Sequence, residues 1–172
     1  PRDCGAFSGK APRLFEAPDG FVFHHLNAWE KNEELIIDSI HYPDFPEVRP
    51  EDDFLQMDFD LIPAGILSRC QINLTTKEVT TTRFSEQCCE FAMTNPQRQG
   101  LLARYSWMAV AEQKKGYAPL QAIKKLDLTN STECIWSAAP SGFVCEPLMV
   151  PKPGSQIEDD GWVLLLVWNG NR

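Results

Sequence analysis

Ile66-Leu-Ser-Arg-Cys-Gln-Ile-Asn-Leu74 runs into Thr75-Thr-Lys-Glu78 and then into Val79-Thr-Thr-Thr82. An apolar and β-branched run, a short polar break and a second β-branched run make a hairpin. The same plan returns as Ile123-Lys-Lys-Leu-Asp-Leu128, Thr129-Asn-Ser-Thr132 and Glu133-Cys-Ile-Trp136. Setting Asn73 on Asp127 gives an offset of 54 residues. Hairpins recurring near this length point to β-propeller blades, which take about 40–50 residues each. At that length the chain holds about three blades, too few to close a ring. A β-sandwich whose two hairpins merely look alike fits the same pattern.

The rest of the chain keeps to an all-β plan. Its 13 prolines and 10 glycines separate short runs rich in Val, Ile, Leu, Thr, Phe and Trp, with no long 3.6-residue stripe. The best helical candidate is residues 50–57, where Glu51, Asp52 and Asp53 follow Pro50 as in a first helical turn. Residues 10–18 and 94–100 read as loops, the second around Asn95-Pro96. The longest apolar run, residues 162–168, is far too short to span a membrane and reads as one buried strand.

Hydrophobic residues make up 43% and charged residues 23% of the 172, the composition of a globular protein with a core. A formal net charge of −8 argues against sequence-independent nucleic-acid binding, which needs a basic face. The cysteines, Cys4, Cys70, Cys88, Cys89, Cys134 and Cys145, show no metal-binding spacing and no dense framework. Most of them read as buried thiols in a reducing compartment, cytoplasm or plastid, rather than as the bridges of a secreted protein. Two sequons, at Asn73 and Asn130, fall at the expected hairpin turns, where turn chemistry explains them. The chain opens on Pro1 without a signal sequence and stops just after an apolar strand, which reads as an excerpt of a longer protein.

A second periodicity concerns polar residues that end apolar runs. His24 follows Phe21-Val-Phe23, Glu90 follows Cys88-Cys89, and Glu146 follows Phe143-Val-Cys145, at separations of 66 and 56 residues. A His or Glu among apolar neighbours is costly unless bonded or ligated. Three at blade-like spacing suit an axial site, a natural place for a metal. Taken singly, each of the three histidines, His24, His25 and His41, is more often structural than a ligand. His24 and His25 are adjacent, so on a strand they face opposite ways and at most one reaches an axial metal. His41, ahead of Tyr42-Pro43, reads as a loop residue. The chain has no nucleophile elbow, glycine-rich phosphate loop or zinc cluster motif. Glu158-Asp159-Asp160-Gly161 lacks calcium-loop spacing and reads as an acidic turn before the last strand.

Phe23-His24-His25-Leu26-Asn27-Ala28-Trp29-Glu30 resembles the third histidine motif of the carotenoid cleavage oxygenases. Cys89-Glu90-Phe91 resembles that family's Glu-Phe-Pro motif, with Ala92 where proline is usual. Cys145-Glu146-Pro147, Val150-Pro151 and Glu158-Asp159-Asp160-Gly161-Trp162 resemble its later motifs, in the family's order. The resemblance spans residues 15–168. It implies a seven-bladed propeller with an axial Fe(II) held by four histidines, three of them bonded to glutamates. By position His24 is the third ligand, Glu90 its glutamate, and Glu146 the glutamate of a fourth histidine outside these residues. No catalytic residue beyond this metal site is implied.

The function so implied is a piece of a dioxygenase that uses Fe(II) and O2. It would cleave a carbon–carbon double bond of a carotenoid or apocarotenoid, a hydrophobic polyene, to carbonyl products. Peripheral membrane contact by the full-length protein belongs to the same expectation. Within the family, stilbene-cleaving and retinoid-isomerising relatives share these motifs. Outside it, the competing reading is a non-catalytic propeller scaffold whose His and Glu are structural. With one ligand of four, residues 1–172 are expected to be inactive alone.

Overall fold

A computed structural model describes residues 11–47, 53, 56, 58–112 and 119–171. Apart from Asp53 and Gln56, the helical candidate at residues 50–57 lies outside them, as does Cys4. Two antiparallel sheets follow one another along the chain. The first is β1 (Phe21–Lys31), β2 (Glu34–Tyr42), β3 (Ile66–Asn73) and β4 (Val79–Arg83), paired in that order. The second is β5 (Cys89–Met93), β6 (Tyr105–Ala111), β7 (Leu120–Asp127) and β8 (Glu133–Ser137), again in chain order. Four shorter strands complete the fold: β9 (Gly142–Val144), β10 (Leu148–Pro151), β11 (Gly161–Leu164) and β12 (Val167–Asn169). Here β10 pairs with β11, and β12 with β9.

The two repeated hairpins occupy equivalent places in the two sheets, and their turns match atom for atom. Lys77 N–H donates to Asn73 O (2.9 Å) and Asn73 N–H to Glu78 O (2.9 Å). At an offset of 54, Ser131 N–H donates to Asp127 O (2.8 Å) and Asp127 N–H to Thr132 O (2.9 Å). The side-chain oxygens of Asn73 and Asp127 cap Thr75 N–H and Thr129 N–H, each at 2.9 Å. Lys77 and Ser131 both adopt left-handed backbone, at φ 65° and 60°. The Asn73 sequon is thus occupied by turn chemistry, and Asn130 likewise accepts from Thr132 N–H.

Strand alternation gives the middle sheet two buried faces. On one face Met108, Val110, Ala122 and Leu126 pack against Leu26, Ile40, Tyr42 and Leu67 of the first sheet. Each fully buried Ile, Leu, Met or Val there contributes about 1.5–3 kcal/mol. On the other face Ala109 and Ile123 meet Val144, with Phe91, Val163 and Leu165 around them. A two-layer sandwich buries one face of each sheet; a sheet covered on both sides by successive units is a propeller blade.

The third layer corrects the reading of residues 162–168 as one strand. The run is split into β11 and β12, which pair with different partners, and Leu165 between them turns into the core. Trp162, Leu164, Leu166 and Trp168 are all exposed. The acidic turn before β11 is where it was expected, and it is a clamp onto the middle sheet. Glu158 Oε1 accepts from Arg104 N–H (2.7 Å) and Tyr105 N–H (2.8 Å). Asn95 Nδ2 donates to Glu158 O (2.7 Å), and Asp159 pairs with Lys125 (2.5 Å). The loop at 94–100 holds one short 3-10 turn, Pro96–Arg98, capped by Asn95. The five described cysteines are free thiols, but only Cys88 and Cys89 are buried; Cys134 and Cys145 are exposed. Cys134 lies on β8, an edge strand whose residues are all exposed, so burial of most cysteines does not hold.

Candidate metal centre

β1 does not run smoothly past His24. Val22 pairs with His41, His25 with Ser39, and Asn27 with Asp38. Twice within six residues, β1 therefore carries one residue more than β2, and Phe23 with His24 stands opposite Ile40 alone. Such bulges twist a strand and re-aim its side chains. β5 is irregular at the facing position: Glu90 pairs with Ala109, but Met93 pairs with Trp107. The extra residue is Phe91 or Ala92, and Phe91 takes φ 55°, strained for a bulky side chain. Phe91 N–H donates to Glu90 Oε2 at 2.8 Å, which holds that turn.

The two bulged strands bring His24 and Glu90 together. His24 Nδ1 lies 2.5 Å from Glu90 Oε2. The carboxylate side chain is 6% exposed and the imidazole 46% exposed, so one end of the pair is buried and the other faces outward. Tyr42, fully buried, donates its hydroxyl to Glu90 Oε1 at 2.9 Å. Glu90 thus receives three donors for its two oxygens, which satisfies a carboxylate buried among apolar groups. A carboxylate only accepts, so the proton of the pair sits on Nδ1, and a neutral ring keeps its lone pair on Nε2. The Phe91 ring lies 5.3 Å from the imidazole, centroid to centroid.

The neighbouring histidines are elsewhere. His25 turns to the opposite face, where its Nδ1 lies 2.7 Å from Ser39 Oγ. There it lines a cavity of about 310 Å³ with Val22, Ile37, His41 and Cys70. His41 is not a loop residue as expected; it is in β2, paired to Val22 and Ile66, because the strand continues to Tyr42 before Pro43 ends it. Glu146 lies in the link between β9 and β10, exposed, with no hydrogen bond or ion pair among the described residues. No contact joins it to His24 or Glu90. Tyr42 is the member of the site that the sequence reading missed. The signal was the alternation Ile40-His41-Tyr42, which sets Ile40 and Tyr42 on one face of a strand.

The donor set suits one protein ligand to a divalent metal. A neutral imidazole Nε2 is a good donor to Fe(II), and a carboxylate on the far nitrogen fixes its tautomer. Among the described residues no three His, Cys, Asp or Glu side chains cluster to hold a metal by themselves. His24 can therefore be one member of a ligand set and not the whole of it.

Comparison with known proteins agrees with the blade architecture. The RPE65 family, retinal pigment epithelial membrane protein, matches across residues 1–172. The apocarotenoid-15,15'-oxygenase of Synechocystis sp. is 44% identical over 171 residues, covering 99% of this chain and 34% of the relative. Torulene dioxygenase of Fusarium fujikuroi is 29% identical over 190 residues, covering 91% of this chain and 32% of the relative. The crystal structure of cobalt-substituted Synechocystis ACO superposes with a TM-score of 0.90 at 41% identity, over 95% of this chain and 34% of that one. The chain spans about a third of the length of the relatives it matches. Its sheets are blades of a seven-bladed β-propeller, and the chain belongs to the RPE65, or carotenoid oxygenase, family.

Proposed function

We propose that the protein containing this chain is an Fe(II)-dependent oxygenase that uses O2 to cleave a double bond of a carotenoid or apocarotenoid. The products would be two carbonyl compounds. The observation that carries this reading is the 2.5 Å contact between His24 Nδ1 and the buried Glu90 carboxylate. It is joined by the activities named for the relatives, an apocarotenoid oxygenase and a torulene dioxygenase, and by a metal-substituted form of one of them.

In this reading Glu90 keeps the proton on Nδ1 and the Nε2 lone pair aimed at the metal, while Phe91 walls one side of the ring. When bound, Fe(II) would supply the redox chemistry that O2 needs to react with a polyene. His25 and His41 belong to another face, so the remaining histidine ligands are assigned to sequence outside these residues. Glu146, exposed and unpaired, is assigned to the fourth of them. Residues 1–172 are then part of one propeller domain.

The test uses the full-length protein with Fe(II), O2 and an apocarotenal, with products identified by chromatography and mass spectrometry. Cleavage to two carbonyl products is expected, abolished by His24→Ala and retained by His25→Ala. The 172-residue chain alone should give nothing above a no-protein control. Full activity in His24→Ala, or product from the 172-residue chain alone, overturns the proposal.

A further inference from the structure

The pairing of His24 with Glu90 leaves the other carboxylate oxygen to be satisfied, and the way it is satisfied assigns a role to a residue beyond the ligand and its glutamate. We infer that Tyr42 is a positioning residue for the metal centre: its hydroxyl fixes the Glu90 carboxylate, and through it the orientation of the His24 ring. This inference rests on the proposal that His24 binds metal.

Tyr42 ends β2, on the strand next to His24 and one sheet away from Glu90. Its phenol is fully buried and donates across the sheet-to-sheet core to Glu90 Oε1 at 2.9 Å. Oε2 of the same carboxylate takes His24 Nδ1–H and Phe91 N–H. The carboxylate plane is thus set at both oxygens, and a rotation that improved one contact would break another. Without the phenol, Oε1 is left buried with no such donor, and the carboxylate can rotate toward other donors at the expense of His24.

The fold goes to some length to aim this hydroxyl. The Tyr42 ring lies over Gly65, where an added Cβ would stand 2.5 Å from Cζ and 2.7 Å from the hydroxyl oxygen. Phe23, the other residue of the β1 bulge, meets the ring edge-on at 5.4 Å and 89°. Gly65 O also accepts from Cys89 N–H (2.9 Å), one residue before Glu90. The glycine that makes room for the phenol therefore also pins the strand that carries its acceptor. A buried phenol needs an acceptor in any case; here the acceptor is the carboxylate that holds His24.

The experiment compares Tyr42→Phe with the parent full-length protein. Metal affinity is read by Co(II) titration in competition with a chelator. A second readout needs no metal: the Nδ1–H signal of His24 in apo protein with ¹⁵N-labelled histidine. Tyr42→Phe is expected to weaken Co(II) about tenfold, the lower end of the 10–100-fold range for groups that orient a ligand, and to shift the Nδ1–H signal. In a Glu90→Gln background the same substitution should weaken Co(II) by less than about twofold, since the phenol acts through the carboxylate. An unchanged Nδ1–H signal in Tyr42→Phe overturns the inference, as does the full tenfold loss persisting in the Glu90→Gln background. If His24→Ala leaves Co(II) affinity unchanged, the metal reading fails instead, and the Nδ1–H signal still decides whether Tyr42 holds the Glu90–His24 pair.

Discussion

Replacing Gly65 by alanine tests how tightly the fold holds the Tyr42 ring. A Cβ at this position would lie 2.5 Å from Tyr42 Cζ and 2.7 Å from Ile40 Cγ2. Carbon atoms settle at about 3.5–4.0 Å, so one partner has to give by roughly 1 Å. Neither has space: Tyr42 and Ile40 are both 0% exposed, and both belong to the core between the first two sheets. Overpacking of this kind costs about 1–3 kcal/mol, and two immobile partners put it at the upper end. Gly65 does not have left-handed backbone, so alanine also regains about 0.4–1 kcal/mol by restricting the unfolded chain. The expected net loss is about 2 kcal/mol. Urea titrations of the full-length protein, followed by circular dichroism, should show a lower midpoint with an unchanged slope. Co(II) affinity should fall as well, because the displaced ring carries the hydroxyl away from Glu90. A Gly65→Ala protein as stable as the parent, with unaltered Co(II) affinity, would refute both the packing argument and the aim of the phenol.

The remaining expectations concern thiols, acid stability and the clamp. Burial pushes the Cys88 and Cys89 thiols up to about 11 and about 12, so iodoacetamide at pH 8 should label exposed Cys134 and Cys145 and spare this pair until the protein unfolds; peptide mass mapping reads the outcome, and rapid labelling at Cys89 would contradict it. The Lys125 ammonium holds the Asp159 carboxyl below its ordinary value of 3.8, and the Arg104 guanidinium does the same for Asp127. A lowered folded value means that the stabilisation is complete above about pH 4 and drains away as the pH falls further, so Asp159→Asn should flatten the acid limb of stability below pH 4 and leave its shape unchanged above. Glu158→Ala removes the acceptor of two main-chain amides, Arg104 and Tyr105, and should lower unfolding free energy by about 2–3 kcal/mol in urea titrations, with no loss taken as refutation of the clamp.

How much of this was legible in the sequence differs by element, for physical reasons. The hairpins were legible because their turns are local: Asn73 and Asp127 cap their own loops, so the 54-residue offset is written in adjacent residues. The division of residues 162–168 into two strands was not, because an apolar run reports what a segment can bury, not whether it stays with one partner; β11 turned to β10 and β12 to β9. His41 was misread as loop because Pro43 marks the end of a strand but not how far pairing reaches toward it; Phe21 pairs with Tyr42 itself. The pairing of His24 with Glu90 was implied by the resemblance of their motifs to the family's, while blade spacing alone placed both only near one axis; neither gave the geometry of their contact. It depends on register slips in β1 and β5 that no alternation pattern reveals, and on Phe91 in left-handed backbone against its preference.

Among the described residues, three of the four register slips in the four-stranded sheets lie on β1 and β5, beside His24 and Glu90. A regular β1 would alternate Phe23, His24 and His25 strictly between faces, and a regular β5 would carry Glu90 and Phe91 straight past them. Two slips on β1 and one on β5 instead converge on one histidine and one glutamate. Elsewhere β2 with β3, β3 with β4, and β7 with β8 pair residue by residue, and β6 slips once against β7, between Val110 and Ala111. What the irregularity achieves is a buried carboxylate held at three points, with a half-exposed imidazole at its outer end. That arrangement suits the proposed ligand role of His24: a carboxylate on Nδ1 leaves the Nε2 lone pair free for a metal.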